Sequence, residues 1–106
     1  MSIRRIIGQS KLTSTVTQIS VGTTEEQILA GNEDRKGFLI QNTGTTVIKL
    51  AFNPNVPTQT VYNVAIRAGN VADDGIGATY SDDMYTGTVR AISSVAGGTI
   101  VVTEYL

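Results

Sequence analysis

Two short acidic clusters, Asp73-Asp74-Gly75 and Asp82-Asp83, are the residues of this 106-residue chain whose types and spacing could do chemistry. A hard cation such as Ca²⁺ takes several oxygen ligands from a flexible loop, so Asp73, Asp74, Asp82 and Asp83 are its candidate ligands, though weak ones. The spacing departs from a helix–loop–helix calcium site. There is no D-x-D-x-D-G run and no glutamate at the twelfth position to close the shell. Aspartate next to glycine is also ordinary turn chemistry, because the carboxylate bonds backbone amides one or two residues on. The turn is the preferred reading and the ion the lesser one. A carboxylate pair working on a glycosidic bond ranks below both.

Other chemistry is excluded by what is missing. The chain has no histidine and no cysteine. It therefore lacks the commonest general base near neutral pH, any thiolate nucleophile and the two commonest transition-metal ligands, and no Ser-His-Asp or Cys-His triad can form. Gly75-Ile76-Gly77 is only the opening of a dinucleotide loop, without its third glycine or a following helix. No enzymatic activity and no cofactor are expected. Tyr62, Tyr80, Tyr85 and Tyr105 could line a sugar or peptide groove, but core packing with the hydroxyl at the rim is the preferred reading. Lys49, Arg67 and Arg90 fall on outward strand phases, where solvation is preferred over pairing with carboxylates of an abutting protein.

Eight basic and nine acidic residues leave a net charge of −1. The adjacent cations are Arg4-Arg5 and Arg35-Lys36, which is no footprint for nucleic acid. The opening MSIRRIIGQSKL has no apolar segment long enough for a secretory leader, and no run approaches a membrane span. Neither nucleic acid nor membrane is an expected partner.

Strands must position all of this. In RKGFLIQNTGTTVIKLAF, Arg35 to Phe52, Phe38 and Ile40 share one face of a first run, and Ile48, Leu50 and Phe52 share one face of a second. A period of two in β-branched and aromatic residues marks half-buried strands, and Asn42-Thr43-Gly44-Thr45 between them predicts a β-hairpin. Tyr85 to Ser93 and Thr99 to Tyr105 predict a second hairpin around Ala96-Gly97-Gly98. In its last strand Ile100, Val102 and Glu104 share a phase.

The remaining elements follow the same logic. Thr13 to Val21 reads as a strand. Thr24 to Ala30 fits either a two-turn helix with a capping box or a strand, and the strand is favoured because so short a helix is marginal. Asn53 to Thr60, with both prolines, is a loop. Val61 to Ile66 alternates again, Arg67 to Gly77 is turn-rich, and Ala78 to Asp83 is a short strand or loop. Seven or eight short strands at regular spacing predict an all-β fold, an antiparallel β-sandwich of jelly-roll-like form over residues 13–106. Residues 1–12 form an extended N-terminal arm. Its Ile3, Ile6 and Ile7, with Arg4 and Arg5 between them, have no local partner, and they are expected either to lie on their own domain as an edge strand or to dock on a neighbouring protein.

Several segments together resemble a known class of protein. RKGFLIQN, then TVIKLAF, then VAIRAGNVADDGIG, then MYTGTVRAISS and TIVVTEYL are similar in type and order to the strands of small structural proteins of tailed-phage virions. The likeness runs from Arg35 to Leu106 and leaves the first third unmatched. It resembles head decoration (cement) proteins and the capsid-binding base of head fibres. The resemblance implies a β-sandwich, a homotrimer, the major capsid protein as partner, and a place on the capsid surface of the virion after synthesis in the host cytoplasm. It implies no catalytic residue, and an end at Leu106 leaves no room for a long fibre tip. Ile3, Arg4, Arg5, Ile6 and Ile7 are then the expected interface, anchoring either the trimer or the capsid contact. A tail, collar or baseplate component is the alternative, and a carbohydrate- or receptor-binding module a lesser one.

Overall fold

A computed structural model describes residues 13–69 and 76–106. The expected arm, including Ile3, Arg4, Arg5, Ile6 and Ile7, lies outside the described residues, and so do Asp73 and Asp74. Eight strands follow in order: β1 Ser14–Val21, β2 Glu26–Leu29, β3 Gly37–Asn42, β4 Ile48–Phe52, β5 Val64–Ile66, β6 Thr79–Asp82, β7 Val89–Ser93 and β8 Gly98–Tyr105. They form two four-stranded antiparallel sheets, ordered β1-β8-β3-β6 and β2-β7-β4-β5. The expected all-β sandwich is the fold of the chain, and the ambiguous Thr24–Ala30 segment contains a strand.

The period-two pattern builds the core. Val21, Phe38, Ile40, Ile100 and Val102 point inward from the first sheet. Ile28, Leu29, Ile48, Leu50, Ile66, Val89 and Ala91 meet them from the second. Consecutive Ile28 and Leu29 cannot both face inward on a regular strand. A register shift between Gln27 and Leu29 against β7 allows it, as a bulge turns one extra residue toward the same face.

Both expected hairpins are wrong in one respect: their strands do not pair with each other. β3 lies between β8 and β6 in the first sheet, whereas β4 lies between β7 and β5 in the second. β7 and β8 are likewise in opposite sheets. Each connection arches across the sandwich instead of folding back within a sheet. Alternation reports which side chains face the core, and two strands facing each other across a core alternate just as two paired strands do.

Buried polar groups set the arch between β3 and β4. Asn42 is fully buried, and its amide nitrogen donates to the carbonyls of Thr46 (2.7 Å) and Ile66 (3.0 Å). Its side-chain oxygen accepts from the Gly44 N–H at 3.0 Å. The amide thereby bends the chain after β3 and joins it to the end of β5 in the other sheet. The hydroxyls of Thr46 and Ser93, both buried, bond at 2.6 Å beside it.

Replacing Asn42 with alanine strands two buried carbonyls, and such groups are costly when unpaired. Asn42→Ala is expected to lower the unfolding free energy by about 2–3 kcal/mol, measured by urea denaturation. Gln41→Ala, on the outer face, should stay within about 0.5 kcal/mol of wild type. Equal losses at the two positions would refute the role given to Asn42.

Candidate functional site

Asp82 ends β6, Asp83 follows it, and the two do different things. The Asp82 carboxylate accepts the backbone N–H groups of Met84 (2.7 Å) and Tyr85 (2.8 Å) through one oxygen, and its other oxygen accepts the Tyr80 hydroxyl at 3.4 Å. This is the turn chemistry aspartate was expected to supply. The two amide bonds hold the Asp82 carboxyl below the usual carboxylate range. Burial, then the charge of Asp82, pushes the Tyr80 phenol up. Asp83 is exposed. Among the described residues no group of three or more His, Cys, Asp and Glu comes together as a metal site.

The tyrosines divide. Tyr80 and Tyr85 join Phe38 and Phe52 in an aromatic chain, with centroid separations of 6.0 Å (Phe38–Tyr80), 5.6 Å (Phe52–Tyr80) and 5.2 Å (Phe52–Tyr85). These are spacings at which tilted rings attract. The Tyr85 hydroxyl donates to the Thr88 carbonyl at 2.7 Å and accepts the Asn53 N–H at 2.8 Å. That ring passes so close to Gly87 that a Cβ there would sit 2.5 Å from the hydroxyl oxygen, so only glycine fits. Tyr62 is exposed, with the Lys49 ammonium 5.4 Å from its ring centre. Tyr105 borders a groove on the outer face of the first sheet.

The outward cations are mostly engaged within the chain. Arg90 pairs with Glu25 at 2.8 Å. Lys49 donates to the backbone and side-chain oxygens of Gln59 at 2.7 and 3.1 Å. Arg67 is exposed.

Arg35 is the residue that sequence reasoning missed. Its side chain is fully buried, and its Nε donates to Glu104 at 2.9 Å. Its Nη1 donates to the carbonyls of Tyr85 (3.2 Å) and Gly87 (3.0 Å), and its Nη2 to that of Ala30. The guanidinium also lies 5.6 Å from the centre of the Phe38 ring. Glu104 belongs to the first sheet, while Ala30 and Gly87 flank β2 and β7 of the second, so one cation ties both layers. A signal existed: Glu104 shares the inward phase of Ile100 and Val102, and a carboxylate facing a core calls for a buried cation.

The groove is lined by Lys36, Gly37, Phe38, Leu39, Ser81, Asp82, Asp83 and Tyr105 and encloses about 550 Å³. Nothing in it is arranged as nucleophile and base. It can bind and cover, and its chemistry is that of an apolar floor with a charged rim.

No family model matches this chain, and no curated protein does. A solved structure from Bacillus endospore appendages, which form disulfide-linked pili, is similar over 89% of this chain and 84% of that one. The TM-score is 0.54 at 14% identity, which shows a shared fold.

Two outcomes follow. Arg35→Met should lower stability by about 3–5 kcal/mol, because it leaves Glu104 unpaired and three carbonyls without a donor. Glu104→Gln keeps an acceptor for Nε but leaves the fully buried guanidinium without its countercharge, so it should cost a comparable amount, about 3–5 kcal/mol; a loss under about 1 kcal/mol in urea melts would refute the charge-pair account. For Asp82, the folded pKa lies below the unfolded one, near 3.8. Its contribution is present above that value and lost as pH falls through the folded value. Asp82→Asn should therefore have a lower urea midpoint than wild type at pH 7, with the gap closing below about pH 4. A gap that is constant with pH would rule this out.

Proposed function

We propose that the protein is a structural assembly subunit of a tailed-phage virion: a capsid decoration protein that binds the major capsid protein on the outer head surface as a homotrimer. The observation that carries the assembly reading is the open edge of β1. Of the four edge strands among the described residues, β2 is bulged, β5 has three residues and β6 ends on Asp82 with Asp83 following it. All three are devices that discourage edge pairing. β1 has none of them. It runs eight residues, STVTQISV, without charge, proline or bulge, and among the described residues it pairs on one side only. A long unguarded edge is a template for another chain.

Other features support the same reading. The surface includes exposed Val16, Val56, Val61, Ile76, Met84 and Val95. We read the two strand orders, with the chain passing from sheet to sheet at nearly every connection, as jelly-roll connectivity, an architecture that recurs in viral capsid proteins. A trimer would cover edges that a lone sandwich leaves open. The specific placement on a phage head rests on the likeness of the Arg35–Leu106 strands to those of decoration proteins.

A second reading is a filament subunit, favoured by the pilus-forming neighbour in fold. Lacking cysteine, this chain would have to join such a filament without disulfides.

Purified protein mixed with mature undecorated capsids should co-sediment saturably at a fixed copy number per capsid, with a trimer mass by light scattering. Absence of capsid binding, with the protein recovered in purified tails or as self-assembled filaments, would sink the decoration reading.

A further inference from the structure

Two cross-strand rows build the outer face of the first sheet beside the groove. Ser14, Tyr105 and Gly37 lie in one row, and Val16, Thr103, Leu39 and Ser81 in the next. Residues in register point to the same side of a sheet. Val16 is 63% exposed. Gly37, between Tyr105 and Leu39, is buried under the chain at Asp82 and Asp83, a Cβ there falling 3.2 Å from the Asp82 carbonyl oxygen and 3.4 Å from the Asp83 Cα, so that wall of the groove packs directly on β3. The result is an apolar trough with Asp82 and Asp83 on one wall and Lys36 as the cation present. Asp82 is held by the Met84 and Tyr85 amides, which leaves the exposed Asp83 as the carboxylate facing a partner.

The sequence contains a segment of matching chemistry. Residues 1–12, MSIRRIIGQSKL, carry three cations and no carboxylate, whereas residues 13–106 carry five cations and nine carboxylates. A basic arm with three isoleucines therefore belongs to an acidic body that has an apolar trough. The point at which the arm begins also bears on which trough it fills. β1 enters the core only at its end: Thr15 and Thr17, on its core-side phase, are exposed, and Val21 is buried. Traced backward, β1 keeps its line along β8 as far as Thr13, which exchanges both backbone hydrogen bonds with Leu106, so the arm begins at the end of the sheet. Twelve extended residues span up to about 40 Å, enough to reach a neighbouring subunit. Its own trough lies across β8 from that point, on β3 and β6, so filling it from within requires the arm to turn out of the line of β1.

The geometry points to exchange of arms between copies: residues 1–12 of one subunit occupy the Gly37–Leu39–Tyr105 trough of the next, with Ile3, Ile6 and Ile7 on the apolar floor and Arg4 and Arg5 beside Asp83. The groove is thus a site for a second copy of this chain. It supplies the subunit contact that the assembly reading requires, and it rests on that reading only in needing more than one copy.

The absence of cysteine makes the test clean, since any disulfide must come from introduced residues. Single variants Ile6→Cys and Ser81→Cys are mixed under mild oxidation and resolved on non-reducing gels. Arm exchange predicts a cross-linked species of two chains as the main product of the mixture, and little of it from either variant alone. Adding Asp83→Lys to the Ser81→Cys chain should cut the yield several-fold, and Arg4→Glu/Arg5→Glu in the Ile6→Cys chain should partly restore it. A mixture that gives no mixed cross-link, or an Ile6→Cys/Ser81→Cys double variant that closes only within one chain, overturns the proposal. Capsid co-sedimentation of the same variants separates the two ideas. Capsid binding without cross-linking defeats only arm exchange, whereas cross-linking without capsid binding defeats only the decoration reading.

Discussion

A guanidinium with no exposed surface is the constraint on which the rest of this structure depends. Arg35 carries its guanidinium into the interior, and an isolated buried charge costs many kcal/mol. The fold can hold it only if every donor is met. Glu104 supplies the countercharge from the first sheet, and the carbonyls of Ala30, Tyr85 and Gly87 supply three acceptors from loops beside the second. Those loops cannot move independently of β8 without exposing an unpaired donor. The pair need not add much net stability over a well-packed apolar substitute. What it does is fix how the two sheets meet at this end, since any slip in register breaks four bonds together.

A neutral device does the equivalent work at the other end. Asn42 spends both amide hydrogens and its oxygen on the arch between β3 and β4, and Thr46 and Ser93 close the space next to it. The two polar pins lie at opposite ends of β3, because Arg35 precedes its first residue and Asn42 is its last. Between them the contacts are apolar, from Phe38 and Ile40 to Leu50 and Val89. β3 is thus anchored at both ends and buried along its length, with β8 and β6 paired on either side.

That division explains what could be read from the sequence. The alternation of Phe38, Ile40, Ile48, Leu50, Ile100 and Val102 was legible as a sandwich core, because burial on one face is a local pattern. Pairing was not, since β3 and β4 need each other only across the core and their true neighbours are 24 to 69 residues distant in some of the bonds that matter. Arg35 was hidden for a similar reason. A cation at the start of a strand is ordinary, and its burial depends on Glu104 from the far end of the chain. Asp82 was legible as a turn residue because its partners, Met84 and Tyr85, are two and three residues away. Local chemistry could be seen in the sequence, and long-range polar pairing could not.

The same economy bears on how the surface is used. The charges near the second sheet's surface are largely spent inside the chain, Arg90 on Glu25 and Lys49 on Gln59. A partner meeting this body finds hydroxyls, amides, small apolar side chains and, among the described residues, one long open edge. No single contact of that kind binds tightly, because exposed ion pairs and shallow apolar patches each contribute little. In the proposed assembly, strength would come from repetition, in which a subunit held at several points by a symmetric array rebinds at high effective concentration whenever one point lets go. Such an array would also protect the edge that creates it: each added copy would cover a β1 that otherwise recruits partners without limit, so closed symmetry is the arrangement in which attraction along the edge and solubility of a finished particle are compatible.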